Sequence, residues 1–245
     1  MSDSTRAESE PPTTPAARTA RARARAEITR EIVETARRHL ATYGAAGLSL
    51  RAVARDLGMV SSAVYRYVPS RDDLLTLLII ETYDAVGAAV EVEEAEVPRD
   101  DLLGRWMAIA HGVRDWAQGH PQEWGLVYGT PVPGYDAPQD TVGPATRVVN
   151  LLVALLAEMQ ARGLAGQLHP MPSTVRASIA PVRTAIPHDV PDDLVVRGLM
   201  AWAQLLGTVT LEINGQFHHV VDDMPEYFDH VMTRIAEALG LGVSP

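Results

Sequence analysis

Residues 47–68, GLSLRAVARDLGMVSSAVYRYV, contain two short helical patterns separated by a glycine, and they constrain the fold more than any other stretch. In the first pattern the apolar residues follow the i, i+3, i+4, i+7 spacing of a helix face. They are Leu50, Val53, Ala54 and Leu57. Gly58 can adopt the positive φ that ends a helix, and a second helix is predicted through Tyr67. This arrangement indicates a helix-turn-helix, whose second helix enters the major groove of DNA.

The second helix can be divided into an inward and an outward face. If Val64 packs against the first helix, steps of about 100° per residue place Ser62 and Arg66 on the opposite side. An arginine and a small hydroxyl are groups that read base edges. The hydroxyls of Tyr65 and Tyr67 suit phosphate oxygens. The alternative interpretation is an ordinary helix pair with solvated arginine and tyrosine side chains.

Serine hydroxyls are expected to cap both helices, because a hydroxyl can accept a backbone N–H that has no partner within the helix. Ser49 would cap the first helix, and Ser61 or Ser62 the second. The predicted partner is double-stranded operator DNA. The candidate DNA-binding residues are Ser49, Arg51, Ser61, Ser62, Ala63, Tyr65, Arg66, Tyr67 and Arg71.

Basic residues are concentrated in the part of the chain that carries this motif. Residues 1–71 hold 12 arginines and 7 acidic residues, a charge of +5, whereas residues 72–245 hold 9 arginines and 24 acidic residues, a charge of −15. The net charge of −10 therefore combines a basic N-terminal segment with an acidic remainder. That distribution is typical of a nucleic-acid-binding domain joined to a domain with another role.

Residues 25–80 resemble the tetracycline-repressor-like (TetR) family of regulators. The matching positions are Tyr43-Gly44, Gly47-Leu48-Ser49, Ala54, Leu57-Gly58, Ala63-Val64-Tyr65-Arg66-Tyr67-Val68, Ser70 and Asp72-Asp73-Leu74-Leu75. A shorter stretch resembles the WHG-type C-terminal domain of that family: His120-Pro121-Gln122-Glu123-Trp124 with Gly129-Thr130-Pro131-Val132-Pro133-Gly134-Tyr135. The resemblance implies a dimeric regulator in which a ligand shifts the fourth helix and the two recognition helices lose their match to the DNA.

The chain departs from the family pattern at Pro69. Many members carry a lysine at this position and use it to contact a phosphate. The resemblance implies that this contact is absent here or is supplied by Arg71.

Residues 1–20 are rich in Ser, Thr, Pro and Ala without periodicity, which predicts a disordered tail. Arg18, Arg21, Arg23 and Arg25 lie where this tail meets the first helix. These arginines could follow the phosphates or reach into the minor groove, or they could simply be solvated. The sequence leaves both interpretations open.

The predicted fold is all-α, because no strand pattern stands out along the chain. It consists of an N-terminal three-helix helix-turn-helix DNA-binding domain, joined by a long fourth helix to a larger helical ligand-binding and dimerisation domain. We assign residues 1–20 to the Arg-containing tail, 21–70 to the DNA-binding domain and 71–245 to the second domain. Outside the helix-turn-helix, helices are predicted near 25–43, 70–92, 99–118, 121–128, 142–163, 173–186, 192–213 and 225–240.

The second domain is expected to hold a cavity for a small-molecule effector of unknown identity. Its candidate lining residues are large side chains on predicted helices, with one polar neighbour. They are Trp106, His111, Trp124, Tyr128, Met159 and Trp202. Core packing is the more common use of such residues, and it remains the alternative for each of them. The loop 129–140, which contains Tyr135, is a candidate mouth or lid, or only a connector.

The last two predicted helices, 192–213 and 225–240, are expected to pair with their copies in a homodimer. Apolar residues cover more than one face of the first, and the second has an apolar stripe suited to burial. Leu206 and Met232 are the predicted exposed members. The alternative is that both helices cover only their own subunit's core, and the family resemblance favours the dimer.

An enzyme is not indicated, because the chain has no cysteine and no G-x-S-x-G, P-loop, G-x-G-x-x-G or H-E-x-x-H motif. We expect no cofactor, no metal site, no membrane association and a cytoplasmic location. Three function classes remain. The first is a ligand-released repressor, the second an activator or a partner-controlled regulator, and the third an acidic helical module with an incidental helix-turn-helix.

Overall fold

The computed structural model of the protein describes residues 15–187 and 189–242, and within those ranges it contains helices and turns but no strand. The all-α prediction is confirmed. The chain divides into two compact units, one ending at Leu74 and one beginning at Leu75.

The first unit is built from short helices packed on one long helix. Its elements are α1 (Pro15–Tyr43), a 3-10 turn (Ala45–Gly47), α2 (Leu50–Asp56), α3 (Ser61–Val64) and the start of α4 (Arg71–Ala95). Ile32, Ala36 and Leu40 of α1 are at most 1% exposed, as their helical spacing predicts. They share the core with Val53, Ala54, Val64 and Val68, none of which is exposed.

The long first helix begins at Pro15, well before the predicted start near residue 25. The prediction of a disordered tail over 1–20 is therefore wrong for residues 15–20, while residues 1–14 lie outside the described residues. The segment from Ala16 to Ala26 is mostly alanine and arginine, which rank among the strongest helix formers. A proline at the first helical position also costs no hydrogen bond.

The turn between α2 and α3 depends on Gly58, whose φ is +65°. Its neighbour Met59 donates its N–H to the carbonyl of Ala54 at 2.9 Å. The predicted serine caps do not form. Ser49 occupies the cap position of α2 without a side-chain bond, and α3 begins at Ser61 after Val60. Helices of one or two turns keep their first N–H groups near solvent, so water can satisfy them.

The start of α4 is capped by a side chain. Ser70 Oγ accepts the backbone N–H of Asp73 at 3.0 Å and donates to the Asp73 carboxylate at 2.6 Å.

The second unit contains the remainder of α4 and a set of longer and shorter helices. These are α5 (Leu102–Gly119), α6 (Pro121–Tyr128), a 3-10 turn (Gln139–Thr141), α7 (Val142–Ala145), α8 (Arg147–Ala161), α9 (Ser173–Ser178), α10 (Ala180–Arg183), α11 (Asp192–Ile213) and α12 (Met224–Leu239). Helices α5, α8, α11 and α12 pack together around one apolar core.

Two of the predicted helices are each broken in two. The predicted helix 142–163 ends at Ala145 and restarts at Arg147, because Thr146 Oγ1 donates to the Gly143 carbonyl at 2.8 Å and replaces the backbone N–H that would continue the helix. The predicted helix 173–186 is interrupted between Ser178 and Ala180. Pro181 follows directly and lacks the N–H that would continue the ladder of α9.

Arg147, the first residue of α8, bonds to α4 at the point where the two helices pack closely at Gly87. Its guanidinium donates to the Asp84 carbonyl at 2.9 Å and to the Glu91 carboxylate at 2.6 Å. The hydrogen bond from Arg147 to the Glu91 carboxylate lowers the pKa of Glu91, although burial by itself would raise it. A Cβ at Gly87 would lie 2.8 Å from the Arg147 Cβ, so only glycine lets the two helices approach this closely.

A buried ion pair joins the end of α4 to α5. Arg105 Nε donates to Glu94 Oε1 at 2.6 Å, and these side chains are only 5% and 4% exposed. Arg99, which is 57% exposed, adds two hydrogen bonds to the same carboxylate, one to each oxygen at 2.9 Å. Burial by itself would raise the pKa of Glu94, but the hydrogen bonds and charges of the two arginines outweigh it and leave that pKa below its ordinary value.

The predicted exposure of Met232 is wrong: it is fully buried, and Leu206 is half-buried. The apolar stripe of α12 is used by the subunit's own core, where Phe228 and Met232 show no exposed surface. On α11 a different apolar set faces outward, with Leu199 39%, Met200 54% and Leu211 44% exposed.

By length and composition α11 is also apolar enough to cross a membrane, yet only 28% of its most apolar window is buried in the subunit. The bent pair of α7 and α8 passes the same test only if its two parts are counted as one span. The exposed apolar surface of α11 thus needs an explanation beyond packing within one subunit.

Candidate DNA interface and effector cavity

The described residues around α3 separate into one buried and several exposed positions. Val64 has no exposed surface, while Ser62, Tyr65 and Arg66 are exposed. This agrees with the outward face expected from helical periodicity. The helix proper ends at Val64, but the N–H of Val68 still bonds to the Val64 carbonyl at 3.0 Å, so Tyr65, Arg66 and Tyr67 lie in a continuing helical turn.

The remaining candidate DNA-binding residues are distributed around this face. Arg51 on α2 is exposed, whereas Ser49, Ser61, Ala63 and Tyr67 are half-buried. Two arginines, a serine and a tyrosine are thus exposed and available for contact with bases and phosphates.

Arg71 is engaged within the protein. Its guanidinium donates to the carbonyl of Ala45 at 2.8 Å and to that of Leu48 at 3.3 Å, so it supports the turn that precedes α2. The suggestion that Arg71 supplies the missing phosphate contact therefore competes with this internal role.

A histidine–aspartate pair braces the helix-turn-helix, and sequence reasoning did not identify it. His39 Nε2 lies 2.6 Å from Asp56 Oδ2, which ties α1 to the end of α2. The His39 ring is buried, and the hydrogen bond from it lowers the pKa of Asp56. No motif marks this pair, because the two residues are separated by most of α1's last turn, the 3-10 turn and α2.

Most of the residues predicted to line a ligand cavity are part of the core. Trp106, Trp124 and Met159 are at most 1% exposed. Trp106 Nε1 donates to the Met232 carbonyl at 2.9 Å, and Trp124 Nε1 donates to Thr210 Oγ1 at 3.2 Å. The indole N–H groups thus fix α5 to α12 and α6 to α11.

His111 and Tyr128 also make contacts inside the helical unit. His111 Nε2 lies 3.0 Å from Asp229 Oδ1, beside the ring of Phe228. The Tyr128 ring packs against Trp124 and Trp202, and burial raises the pKa of its hydroxyl. Of the six predicted residues, only Trp202 lines either of the two cavities described next. The other five line neither of these two cavities and pack within the helical unit, so their part in an effector site stays a prediction.

The larger of these cavities, which we call the loop cavity, has a volume of about 360 Å³. It is a cavity open to solvent, lined by residues of α4, α6, α7 and the loop 129–140. Its lining residues are Ile79, Tyr83, Leu126, Val127, Pro131, Val132, Tyr135, Ala137, Thr141, Val142, Ala145 and Thr146. None of these described residues carries a charge. The loop 129–140, which the sequence analysis gave as a candidate mouth or lid, thus contributes four residues to the wall of this cavity.

The polar groups of the loop cavity are all uncharged hydroxyls. Tyr135 and Thr76 share a hydrogen bond of 2.9 Å between Oη and Oγ1, which attaches the loop to α4. Tyr83 donates its hydroxyl to the Val127 carbonyl at 3.2 Å, and burial raises the pKa of that hydroxyl. The raised pKa keeps the Tyr83 hydroxyl in its neutral form, and the described residues of the wall present hydroxyls and no charged side chain.

The smaller cavity, which we call the α8–α11 cavity, has a volume of about 110 Å³. Its wall is almost entirely aliphatic apart from Trp202, Thr146 and Asn150. Drug-sized ligand pockets span about 300–1,000 Å³, so the loop cavity falls within that range and the α8–α11 cavity falls below it.

Comparison with known proteins identifies the family that this two-part arrangement belongs to. The family described as "Bacterial regulatory proteins, tetR family" matches residues 32–78, and "Tetracyclin repressor-like, C-terminal domain" matches residues 106–235. The HTH-type transcriptional regulator Rv1816 of Mycobacterium tuberculosis is 43% identical over 198 residues, covering 79% of this chain and 84% of that protein. Its Mycobacterium bovis counterpart, HTH-type transcriptional regulator Mb1846, matches equally well.

Solved structures agree with this assignment. The regulatory protein SCO4313 is 31% identical with a TM-score of 0.73, covering 88% of this chain and 98% of its own. A TetR family transcription regulator from Marinobacter aquaeolei VT8 is 14% identical with a TM-score of 0.57, covering 90% and 97% of the two chains, and shows the shared fold.

A helix-turn-helix unit followed by a large helical unit defines a DNA-binding regulator. The chain belongs to the TetR family, as the two matched regions and the 43% identical relative show. It is accordingly a transcriptional regulator that binds DNA, and not an enzyme.

Proposed function

We propose that this regulator is a homodimeric repressor, acting in the cytoplasm, that a small uncharged molecule releases from a palindromic operator. The observation that carries the proposal is the loop cavity. It has the volume of a ligand pocket, a wall without charged residues and a lid that is hydrogen-bonded to α4 through Tyr135 and Thr76.

The cavity wall favours an uncharged effector. A charged group placed there would find no oppositely charged side chain among the described lining residues, and the part of it that left water would lose hydration without gaining an ion pair. A largely apolar molecule with one or two hydrogen-bonding groups would match the aliphatic wall and the hydroxyls of Tyr83 and Tyr135.

Occupation of the loop cavity would act on α4 at two points. The lid bonds to Thr76, and Thr146 in the cavity wall precedes Arg147, whose guanidinium bonds to α4 at Asp84 and Glu91. A ligand that alters either contact would shift α4. Couplings of about 1–3 kcal/mol between two sites change DNA affinity about 5- to 150-fold.

The dimer would be formed through α11 and α12. The exposed apolar residues Leu199, Met200 and Leu211 lie along α11, and Tyr227 of α12 is 36% exposed. Burial of this surface by a second copy accounts for the apolar side chains of α11 that its own subunit leaves exposed. A two-fold dimer also supplies two recognition helices for a palindromic site, about 34–36 Å apart.

Matched Ala→Phe substitutions in the two cavities test the effector site. Ala145→Phe fills the loop cavity, and Ala185→Phe fills the α8–α11 cavity. The DNA probe is an operator duplex selected by the wild-type protein from a random-sequence library, and uncharged molecules are screened for its release by fluorescence anisotropy. We expect an active compound to release wild type and Ala185→Phe but not Ala145→Phe.

The opposite pattern would place the effector in the α8–α11 cavity. A screen in which charged compounds alone release the DNA would contradict the uncharged site. If both variants and the wild type stayed on the operator with every compound, ligand control would have to be replaced by control through a partner.

A further inference from the structure

One face of α1 packs into the core of the first unit, and towards the N-terminus of the helix the same face carries arginines. Ile28 and Ile32 lie on that face, and at about 100° per residue Arg21 and Arg25 fall on the same side of the helix. Arg23 is rotated by about 200° from both and lies on the opposite side. The inward stripe thus changes from apolar to cationic where α1 leaves the first unit's core.

Arg25 reaches the end of the recognition helix. Its guanidinium lies 5.3 Å from the centre of the Tyr67 ring, at the distance of a cation–π contact, and Nη2 donates to the Tyr67 carbonyl at 3.4 Å. Tyr67 belongs to the turn that carries Arg66. The arginine face of α1 is therefore on the same side of the unit as the proposed DNA-reading residues.

The positive charge on this part of α1 is not neutralised by the protein. The segment from Pro15 to Ala26 contains no acidic residue, and the first one, Glu27, pairs with Arg30 at 2.5 Å. Arg21 and Arg23 are exposed, and neither has a salt bridge among the described residues. An exposed arginine row without acidic neighbours is suited to phosphate contact.

We infer that the N-terminal half of α1 is a helical arm whose Arg21–Arg25 face binds phosphates outside the palindrome read by α3. The inference rests on the proposed DNA-reading face of α3. The residues from Pro15 to Arg25 extend the helix by about 15 Å, at about 1.5 Å per residue. This corresponds to about four base pairs at a rise of about 3.4 Å each.

The test compares two double-stranded probes and two matched variants. One probe is the shortest operator that the wild-type protein enriches from a random-sequence library, and the other adds about six base pairs of arbitrary sequence at each end, enough to exceed the reach of the arm. The variants are Arg21→Ala/Arg25→Ala and Arg23→Ala. Arg21→Ala alone is included, because Arg21 has no hydrogen bond or salt bridge among the described residues whose loss could disturb folding.

On the long probe, we expect Arg21→Ala/Arg25→Ala to weaken binding and to flatten the slope of log K against log salt by about 0.9 for each phosphate that the variant no longer neutralises. Arg21→Ala should give part of this change, and Arg23→Ala should match wild type. On the short probe, all four proteins should bind alike. Hydroxyl-radical footprints of the double variant should lose protection only in the flanks.

Two outcomes overturn the inference separately from the proposed function. Equal slopes for wild type and the double variant on the long probe would mean that the arm is not on the DNA. Equal weakening by Arg23→Ala and Arg21→Ala would mean that charge alone matters, and not the face. If the wild-type protein enriched no sequence, the proposal that α3 reads bases would be wrong. The inference about the arm, which rests on that proposal, would then fail as well.

Discussion

Replacing Arg105 by methionine should destabilise the second unit far more than the same change at Arg99. Both arginines bond to the Glu94 carboxylate, but Arg105 is 5% exposed and Arg99 is 57% exposed. Loss of one member of a buried ion pair costs about 3–5 kcal/mol, because the remaining charge stays buried without its partner. Since Arg99 still contacts Glu94, we expect the lower end, about 3 kcal/mol.

Thermal unfolding monitored by circular dichroism provides the measurement. For a chain of this size about 3 kcal/mol corresponds to a fall in Tm of roughly 6–12 °C, whereas Arg99→Met should cost less than about 1 kcal/mol. Protein concentration must be held constant, because dimerisation would itself shift the Tm. The double variant Glu94→Leu/Arg105→Met should recover most of the loss, since no buried charge remains.

Acid titration checks the same pair with a defined sign. The pKa of Glu94 is lowered in the folded protein from its ordinary 4.5, so the stability it contributes is present above that pH and is lost as the pH falls through the folded value. The stability difference between wild type and Glu94→Leu/Arg105→Met should therefore shift in favour of the double variant below about pH 4.5. Equal Tm losses for Arg105→Met and Arg99→Met at neutral pH would refute the assignment of the pair as buried and stabilising.

Three further changes test other parts of the molecule. Arg66→Ala should cost about 1–3 kcal/mol of operator binding and relax the preference at one base position, which binding to a set of single-base operator variants would measure; unchanged selectivity would contradict the outward face of α3. Met200→Glu should give folded monomers in sedimentation velocity and little operator affinity in anisotropy titrations, while Val92→Glu, at an apolar site on α4 that is 65% exposed against 54% for Met200, should leave the dimer intact. Gly87→Ala should displace Arg147, lower the Tm and weaken operator binding without any ligand; a variant with wild-type Tm and affinity would mean that α4 and α8 do not need this close approach.

Periodicity and turn residues predict where most of the helices of this chain lie, but not all of their bounds and breaks. The turn at Gly58, the capped start of α4 at Ser70 and the long apolar helix from Asp192 all follow from local rules. The breaks near Thr146 and Pro181 were missed because an apolar pattern continues across each of them. The early start at Pro15 is hard to read from the sequence, because the composition of residues 1–20 indicates disorder while alanine and arginine favour a helix.

The candidate sites were less accessible from sequence because they depend on tertiary contacts. An exposed position on α3 follows from its neighbours on the helix, which is why Ser62 and Arg66 were placed correctly outside the core. Whether an aromatic residue faces a cavity or the core depends on helices far away in sequence, as the bond from Trp106 to the Met232 carbonyl illustrates. The pairing of His39 with Asp56 has the same origin.

The internal hydrogen bonds of Arg71 affect how the affinity and the specificity of this regulator can change during evolution. The Arg71 guanidinium donates to the carbonyls of Ala45 and Leu48, and Pro69 carries no positive charge. The start of α4, as the structure describes it, therefore has no positively charged group free to bind a DNA phosphate. Phosphate contacts must then come from other elements. Helix α1 can provide them, because its Arg21 and Arg25 are exposed. Substitutions on α1 could tune how tightly the operator is held while those on α3 change which sequence is read, so the two properties would be inherited through separate helices.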